Sequence, residues 1–215
     1  MGRVRVQQSI SIDGFAAGLG TSHEHPLGVR GERLHEWLGD GHPVNAAVEA
    51  ATFEGVGAAV VGRTMLEVGL AFWEAGTFDG LPVFVPTHRG GDPVVVPGGS
   101  TFRLVTADAY DAATSDPSRA ARADVAVRAD AAVLAAVPSA QDAAGELDVV
   151  IFGGPSTARQ AITAGLVDEL RLQIVHTLLG EGERLFDVQD AALAGFGRVA
   201  EAHAPGVTHV SLVRG

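Results

Sequence analysis

The chain contains no cysteine, so disulfides, zinc–thiolate centres and thiol nucleophiles are excluded. It also contains no lysine; all 15 basic residues are arginine, which removes any lysine Schiff base or lysine phosphate ligand. A G+C-rich genome, which favours Ala, Gly, Val and Arg codons, accounts for that usage without invoking function. Positive charge is scarce overall: 26 acidic residues leave a net charge of -11, which argues against nucleic acid or an anionic membrane as partner. Small anions remain suitable ligands where arginines gather. No apolar run is long enough to span a bilayer, and Met1-Gly2-Arg3-Val4-Arg5-Val6 lacks the apolar core of a signal peptide. The expectation is one soluble, cytoplasmic α/β domain over residues 1–215.

Several catalytic signatures are missing too. Gly-x-Ser-x-Gly does not occur, so a serine hydrolase is not expected. Gly55-Val56-Gly57 precedes the apolar run Ala58 to Val61 instead of following a strand, so it reads as a helix stop and not as the dinucleotide fingerprint. His23-Glu24-His25 offers two imidazoles, but His35-Glu36 lacks a second histidine four residues on, and no metal is expected.

What is present reads as strands alternating with helices. Val4, Val6, Gln8, Ile10 and Ile12 alternate with polar residues as an opening strand that ends at the turn Asp13-Gly14. A polar loop leads to short helices at Glu32 to Leu38 and Val44 to Phe53. Strands are expected at Ala58 to Val61, Pro82 to Val85, Arg103 to Thr106 and Val149 to Phe152. A short helix toward Gly69 follows the first of these. Asp108 to Gly145 is a variable Ala/Asp-rich segment with breaks at Pro117 and Pro138 and a candidate strand at Val125 to Val127. Beyond it, a helix from Pro155 and a strand precede Leu178-Leu179-Gly180-Glu181-Gly182. Arg198 to His203 and Val207 to Val213 form a hairpin about Pro205-Gly206. The pattern implies a mixed sheet flanked by helices.

Three strand ends suit phosphate. Gly62-Arg63-Thr64 puts a guanidinium and a hydroxyl at a helix start, Thr87-His88-Arg89 follows a buried strand, and Gly153-Gly154 opens a helix at Pro155-Ser156-Thr157. The last is either a tight strand-to-helix turn or a place where a ligand approaches the backbone. Gln8, in an apolar set, needs a partner, and neighbouring backbone is the favoured one. Trp37 is a ring to stack on or a core residue.

Ser9 to Phe15, Val61-Gly62-Arg63-Thr64, Pro82 to His88, the Gly153-Gly154 turn and Ala164-Gly165-Leu166-Val167-Asp168-Glu169-Leu170 with Leu178 to Gly182 together resemble one family. It is the dihydrofolate reductase-like family, which includes the C-terminal reductase domain of the riboflavin-biosynthesis deaminase/reductase. The resemblance implies a mixed, mostly parallel sheet, a homodimer, and NADPH lying across the strand ends. It implies cofactor contacts at Gly62, Arg63, Thr64, Thr87, His88, Arg89, Gly153, Gly154, Pro155, Ser156 and Thr157. Ser9, Phe15, Trp37 and Gln173 would border a small-molecule substrate, with Asp13 or water as proton source. Three departures stand against aminouracil reduction: Phe152 replaces a glutamate before the glycine run, lysine is absent, and His176-Thr177 displaces a proline. Glu36, Asp40 and Glu49 are candidates for a single active-site carboxylate. The resemblance implies hydride transfer from NADPH to a C=N or activated C=C bond of a small heterocycle or carbonyl compound; aminouracil reduction in riboflavin synthesis and a catalytically silent ligand binder are the alternatives.

Overall fold

The alternating residues after Arg3 form β1 (Val4–Ser11), which is buried on both faces and lies near the middle of a sheet with nine strands among the described residues. The computed structural model describes residues 1–73, 77–96, 99–108, 131–186 and 193–215. The remaining strands of the sheet are β3 (Val56–Val61), β4 (Pro82–Pro86), β5 (Val94–Val95), β6 (Thr101–Val105), β7 (Asp148–Gly153), β8 (Glu169–Val175), β10 (Phe196–Ala204) and β11 (Val207–Arg214). Their spatial order is β10-β11-β8-β1-β7-β3-β4-β6-β5. From β8 to β6 every neighbouring pair is parallel, and both edges are antiparallel. A separate pair joins β2 (Phe15–Ala17) to β9 (Glu183–Arg184).

The chain runs outward through β3, β4 and β6, then returns to insert β7 between β1 and β3. Parallel strands that change direction in this way leave a crevice at their carboxyl ends. Helices cover both faces. Val4, Val6 and Ile10 of β1 pack with Val149 and Ile151 of β7 beneath α3 (Ala131–Ala144) and α4 (Pro155–Thr163). The other face carries α1 (Pro43–Ala50) and α2 (Arg63–Gly69), with Leu66, Phe78 and Phe102 packed on Ala59, Val61, Val83 and Val85.

The architecture is the expected mixed, mostly parallel sheet with a terminal hairpin, but local readings shift. Gly57 lies inside β3, where an added Cβ would come within 2.9 Å of Ala144. Close packing, not helix termination, therefore requires glycine there. The helix expected to reach Phe53 stops at Ala50, and Gly55 makes the turn with φ +70°. Pro138 sits within α3 instead of breaking the chain. A proline there cannot donate to the carbonyl four residues back, and the Ser139 hydroxyl donates to the Ala135 carbonyl at 2.8 Å alongside it. Pro117 and the candidate strand Val125 to Val127 lie outside the described residues.

Candidate active site

The loops after β3, β4 and β7 converge on one cavity of about 560 Å³. Gly62, Arg63 and Thr64 come from the first, Thr87, His88 and Arg89 from the second, and Gly154, Pro155, Ser156 and Thr157 from the third. Gly153 is the last residue of β7 and sits directly behind this wall. The Gly62 amide donates to the Gly153 carbonyl, and a Cβ on Gly62 would lie 2.6 Å from the Gly154 nitrogen. That contact is impossible for any residue with a side chain, so the first and third loops can meet only through glycine. Gly153 has φ +124°, and its peptide bond to Gly154 is cis.

The cavity's donors follow from local structure. No side chain caps α4 at Gly154, and Pro155 occupies the first helical position, where no N–H is needed. The first-turn amides that follow have no intrahelical partner by position, an arrangement suited to anions. Arg63 uses Nε to bind Glu67 Oε1 at 2.7 Å, one turn along α2. Thr87 shapes its own turn: Oγ1 donates to the Arg89 carbonyl and accepts from the Arg89 amide, both at 3.2 Å.

Gln8 also faces the cavity from β1, at 9% exposure. Its Oε1 is buried with no hydrogen-bond partner among the described residues, so the expected satisfaction by neighbouring backbone does not occur. His35, the last residue of a 3-10 turn (Gly31–His35), lines the same space; the residue is solvent-exposed, yet the protein packed around it desolvates the imidazole and holds it below the ordinary histidine value. Glu67 and Glu183 supply the carboxylates of the lining. Phe152 lines it too, with its ring 5.2 Å from Phe53 and 5.7 Å from Phe78.

The residues expected to meet substrate lie elsewhere. Ser9, Phe15, Trp37 and Gln173 are all buried, and none lines the cavity. Trp37 packs in an apolar cluster with Phe15 and Leu34, and its Nε1 donates to Ser9 Oγ at 3.1 Å. Ser9 and Gln173 are register partners on β1 and β8. The Arg184 guanidinium lies over the Phe15 ring at 4.1 Å.

Asp13 is a clamp. Its carboxylate accepts from Ser11 Oγ at 2.5 Å, the Gly180 amide at 2.8 Å and the Leu179 amide at 3.2 Å. Burial pushes this carboxyl up, but the hydrogen bonds from Ser11, Gly180, Leu179 and its own amide outweigh it and hold Asp13 below the ordinary carboxylate value. A carboxylate kept ionised by three donors does not supply a proton near neutral pH, which corrects the expectation of Asp13 as donor. The three alternative carboxylates are also absent from the lining. Asp40 binds the His42 amide and Asn45 Nδ2, and Glu49 binds the Gly39 amide.

Gln8 had a sequence signal, the polar interruption of an apolar alternation; His35, Glu67 and Glu183 had none, because only the folded loops bring them to the cavity. Among the described residues no group of three or more His, Asp or Glu could hold a metal, and no helix is long and apolar enough to cross a membrane.

A mostly parallel sheet with a terminal hairpin, and a phosphate-suited cavity at its strand ends, define a dihydrofolate reductase-like scaffold. Residues 3–194 match the RibD C-terminal domain family, and the chain belongs to it. Membership of this reductase-domain family places the protein among the oxidoreductases. In architecture it is similar to a protein from Shewanella sp. PV-4 named for riboflavin biosynthesis, at 22% identity and TM-score 0.64, covering 99% of each chain. It is also similar to dihydrofolate reductase from Enterococcus faecalis in complex with NADP(H) and RAB-propyl, at 13% identity and TM-score 0.55 over 99% of this chain and 96% of that one. The Thermotoga maritima diaminohydroxyphosphoribosylaminopyrimidine deaminase/5-amino-6-(5-phosphoribosylamino)uracil reductase matches at 13% identity and TM-score 0.55, over 100% of this chain and 57% of its own. No curated protein sequence matches the chain.

Proposed function

We propose that the protein is an NADPH-dependent reductase that transfers hydride to a C=N or activated C=C bond of a small heterocyclic or carbonyl substrate. The observation that carries this reading is the convergence of three phosphate-suited loops on the cavity that also holds the unpartnered Gln8 amide. The residues fit the cofactor. Arg63, Arg89 and His88 supply cationic or donor side chains, the α4 amides supply uncharged donors, and Gly62 and Gly153 leave the backbone bare. NADPH, once bound, supplies the hydride. The chain's own residues hold the phosphates, orient the rings and exclude bulk water. With Asp13 ionised and the His35 imidazole held below its ordinary value, the proton comes from water in the cavity.

The family match favours one narrower reading, reduction of 5-amino-6-(5-phosphoribosylamino)uracil in riboflavin synthesis. Phe152 in the lining and the absence of lysine mark how this chain would have to bind that substrate differently. We also propose a cytoplasmic homodimer; light scattering that gives only monomer at working concentration overturns the dimer.

Titration followed by nicotinamide fluorescence tests the cofactor. NADPH should bind more tightly than NADH, and binding of neither overturns the reading. Arg63→Ala should weaken NADPH about tenfold, roughly 1.4 kcal/mol, and NADH less. NADPH oxidation over a panel of aminopyrimidines, pterins and imines separates a reductase from a silent binder, since one clear turnover excludes the latter.

A further inference from the structure

Gln8 is the one cavity-lining side chain among the described residues with a fully buried polar atom that bonds to nothing. Neither atom of its amide forms a hydrogen bond among the described residues, although the side chain is nine-tenths buried. Buried polar groups are normally paired, and an unpaired one at a cavity wall marks a place where the partner arrives with a ligand. The surroundings define that partner. A Cβ on Gly153 would lie 3.0 Å from Oε1, so glycine leaves room beside the amide, and Gly154 has open space where its side chain would be. A flat group can therefore reach the amide edge-on.

A primary amide presents a donor and an acceptor side by side in one plane. Its complement is another planar O=C–N–H edge, bound by two antiparallel hydrogen bonds. No charged side chain among the described residues bonds to this amide: Arg63 Nε is paired with Glu67, and His88, Arg89, Glu183 and His35 reach the lining from other parts of the chain. We infer that Gln8 is a recognition residue that receives a planar, uncharged amide edge of the ligand. This deepens the reductase reading and rests on it in one respect, since the edge belongs either to the nicotinamide carboxamide or to a cyclic amide of the substrate.

Gln8→Met and Gln8→Glu test the inference by titration and thermal melting. Methionine keeps the length and removes the polar atoms. If the amide waits for a ligand, Gln8→Met raises the Tm of the ligand-free protein by about 2–4 °C. It also weakens the ligand that carries the edge by about tenfold. A larger loss for NADPH than for its 3-acetylpyridine analogue, which keeps the carbonyl but not the N–H, assigns the edge to the carboxamide. Retained NADPH affinity with a larger loss for 5,6-diaminouracil than for its N-methylated counterpart assigns it to the substrate.

Gln8→Glu gives a reading independent of folding losses in the first variant. A protonated carboxyl mimics the amide's donor and acceptor and an ionised one does not, so affinity should fall as pH rises in this variant and not in the wild type. Wild-type affinity for every probe in Gln8→Met, or a pH-independent Gln8→Glu, overturns the inference and leaves the reductase reading standing. A wild type that binds no nicotinamide overturns the reductase reading, and the diaminouracil arm then decides Gln8. A wild type that binds neither nicotinamide nor diaminouracil overturns both.

Discussion

Gln8 and Ser9 are neighbours on β1, yet they belong to opposite faces of the sheet and to opposite regimes of polar burial. On the Ser9 face, Ser9, Gln173 and His209 line up across β1, β8 and β11 in consecutive register. Trp37 closes this row from above, donating to Ser9 and meeting the His209 ring edge-on at 5.1 Å. Asn45 Nδ2 donates to Asp40 at 2.8 Å, so its Oδ1 must accept, and His209 Nε2 donates to it at 2.7 Å. Ser9 Oγ and His209 Nε2 are answered by protein here, while His209 Nδ1 is buried without a hydrogen-bond partner among the described residues, and no cavity opens beside it. On the Gln8 face the space is open and the polar group is unanswered. The difference teaches that a missing partner is informative only beside open space: His209 Nδ1 is enclosed, whereas Gln8 Oε1 borders the cavity.

Removing the lid of the filled face should have the largest effect. Trp37→Ala should cost about 3–5 kcal/mol of stability, measured by denaturant unfolding, because a large buried ring and a hydrogen bond are lost. Nicotinamide affinity per folded molecule should be unchanged; a loss there would mean that the two faces are coupled.

Gly62→Ala attacks the open face. The added Cβ collides with backbone at Gly154 and with Thr157 Oγ1, so about 1–3 kcal/mol of stability is expected to go, together with cofactor affinity. Stability lost with affinity intact would show that the meeting of the two loops is structural only.

The smallest effect separates the faces by pH. Burial pushes His209 below the ordinary value of 6.5, an effect partly offset by the Asp40 charge. The native state then binds fewer protons than the unfolded one in the window just below 6.5, so stability rises with pH there. The contribution is present above 6.5 and is lost as pH falls through the depressed native value. His35 shifts in the same direction. His209→Gln should flatten this slope in chemical denaturation at pH 5 to 7. Saturating ligand should alter only the His35 share; an unchanged slope in His209→Gln would remove the filled face from the account.

Much of the fold was legible in the chain. Period-two alternation marked β1, and the apolar runs at Ala58 and Val149 marked buried parallel strands. Pro205-Gly206 marked the hairpin. The short strands β2, β5 and β9 were not legible, because two or three residues carry no period. Nor was Pro138 in α3, because proline's local cost was outweighed by an Ala/Val face packed on the sheet. The loop residues of the cavity were legible because each follows a strand end. The residues expected to border substrate are not in that lining. Nothing local distinguishes Ser9, which meets Trp37, from Gln8, which meets nothing; only the pairing of distant segments decides it.

Asp13 gives the rim of the molecule a property that loops seldom have. Its carboxylate holds the Leu179 and Gly180 amides, its carbonyl accepts from Arg184 Nη1 at 2.5 Å, and Arg184 covers Phe15. Three chain segments are thereby tied at one residue, beside the β2–β9 pair that supplies Ala17 and Glu183 to the cavity. In hydrogen–deuterium exchange, amides 179 and 180 should therefore be retained on the timescale of strand amides, although they belong to no strand. Asp13→Asn should release them to exchange at the pace of an open loop.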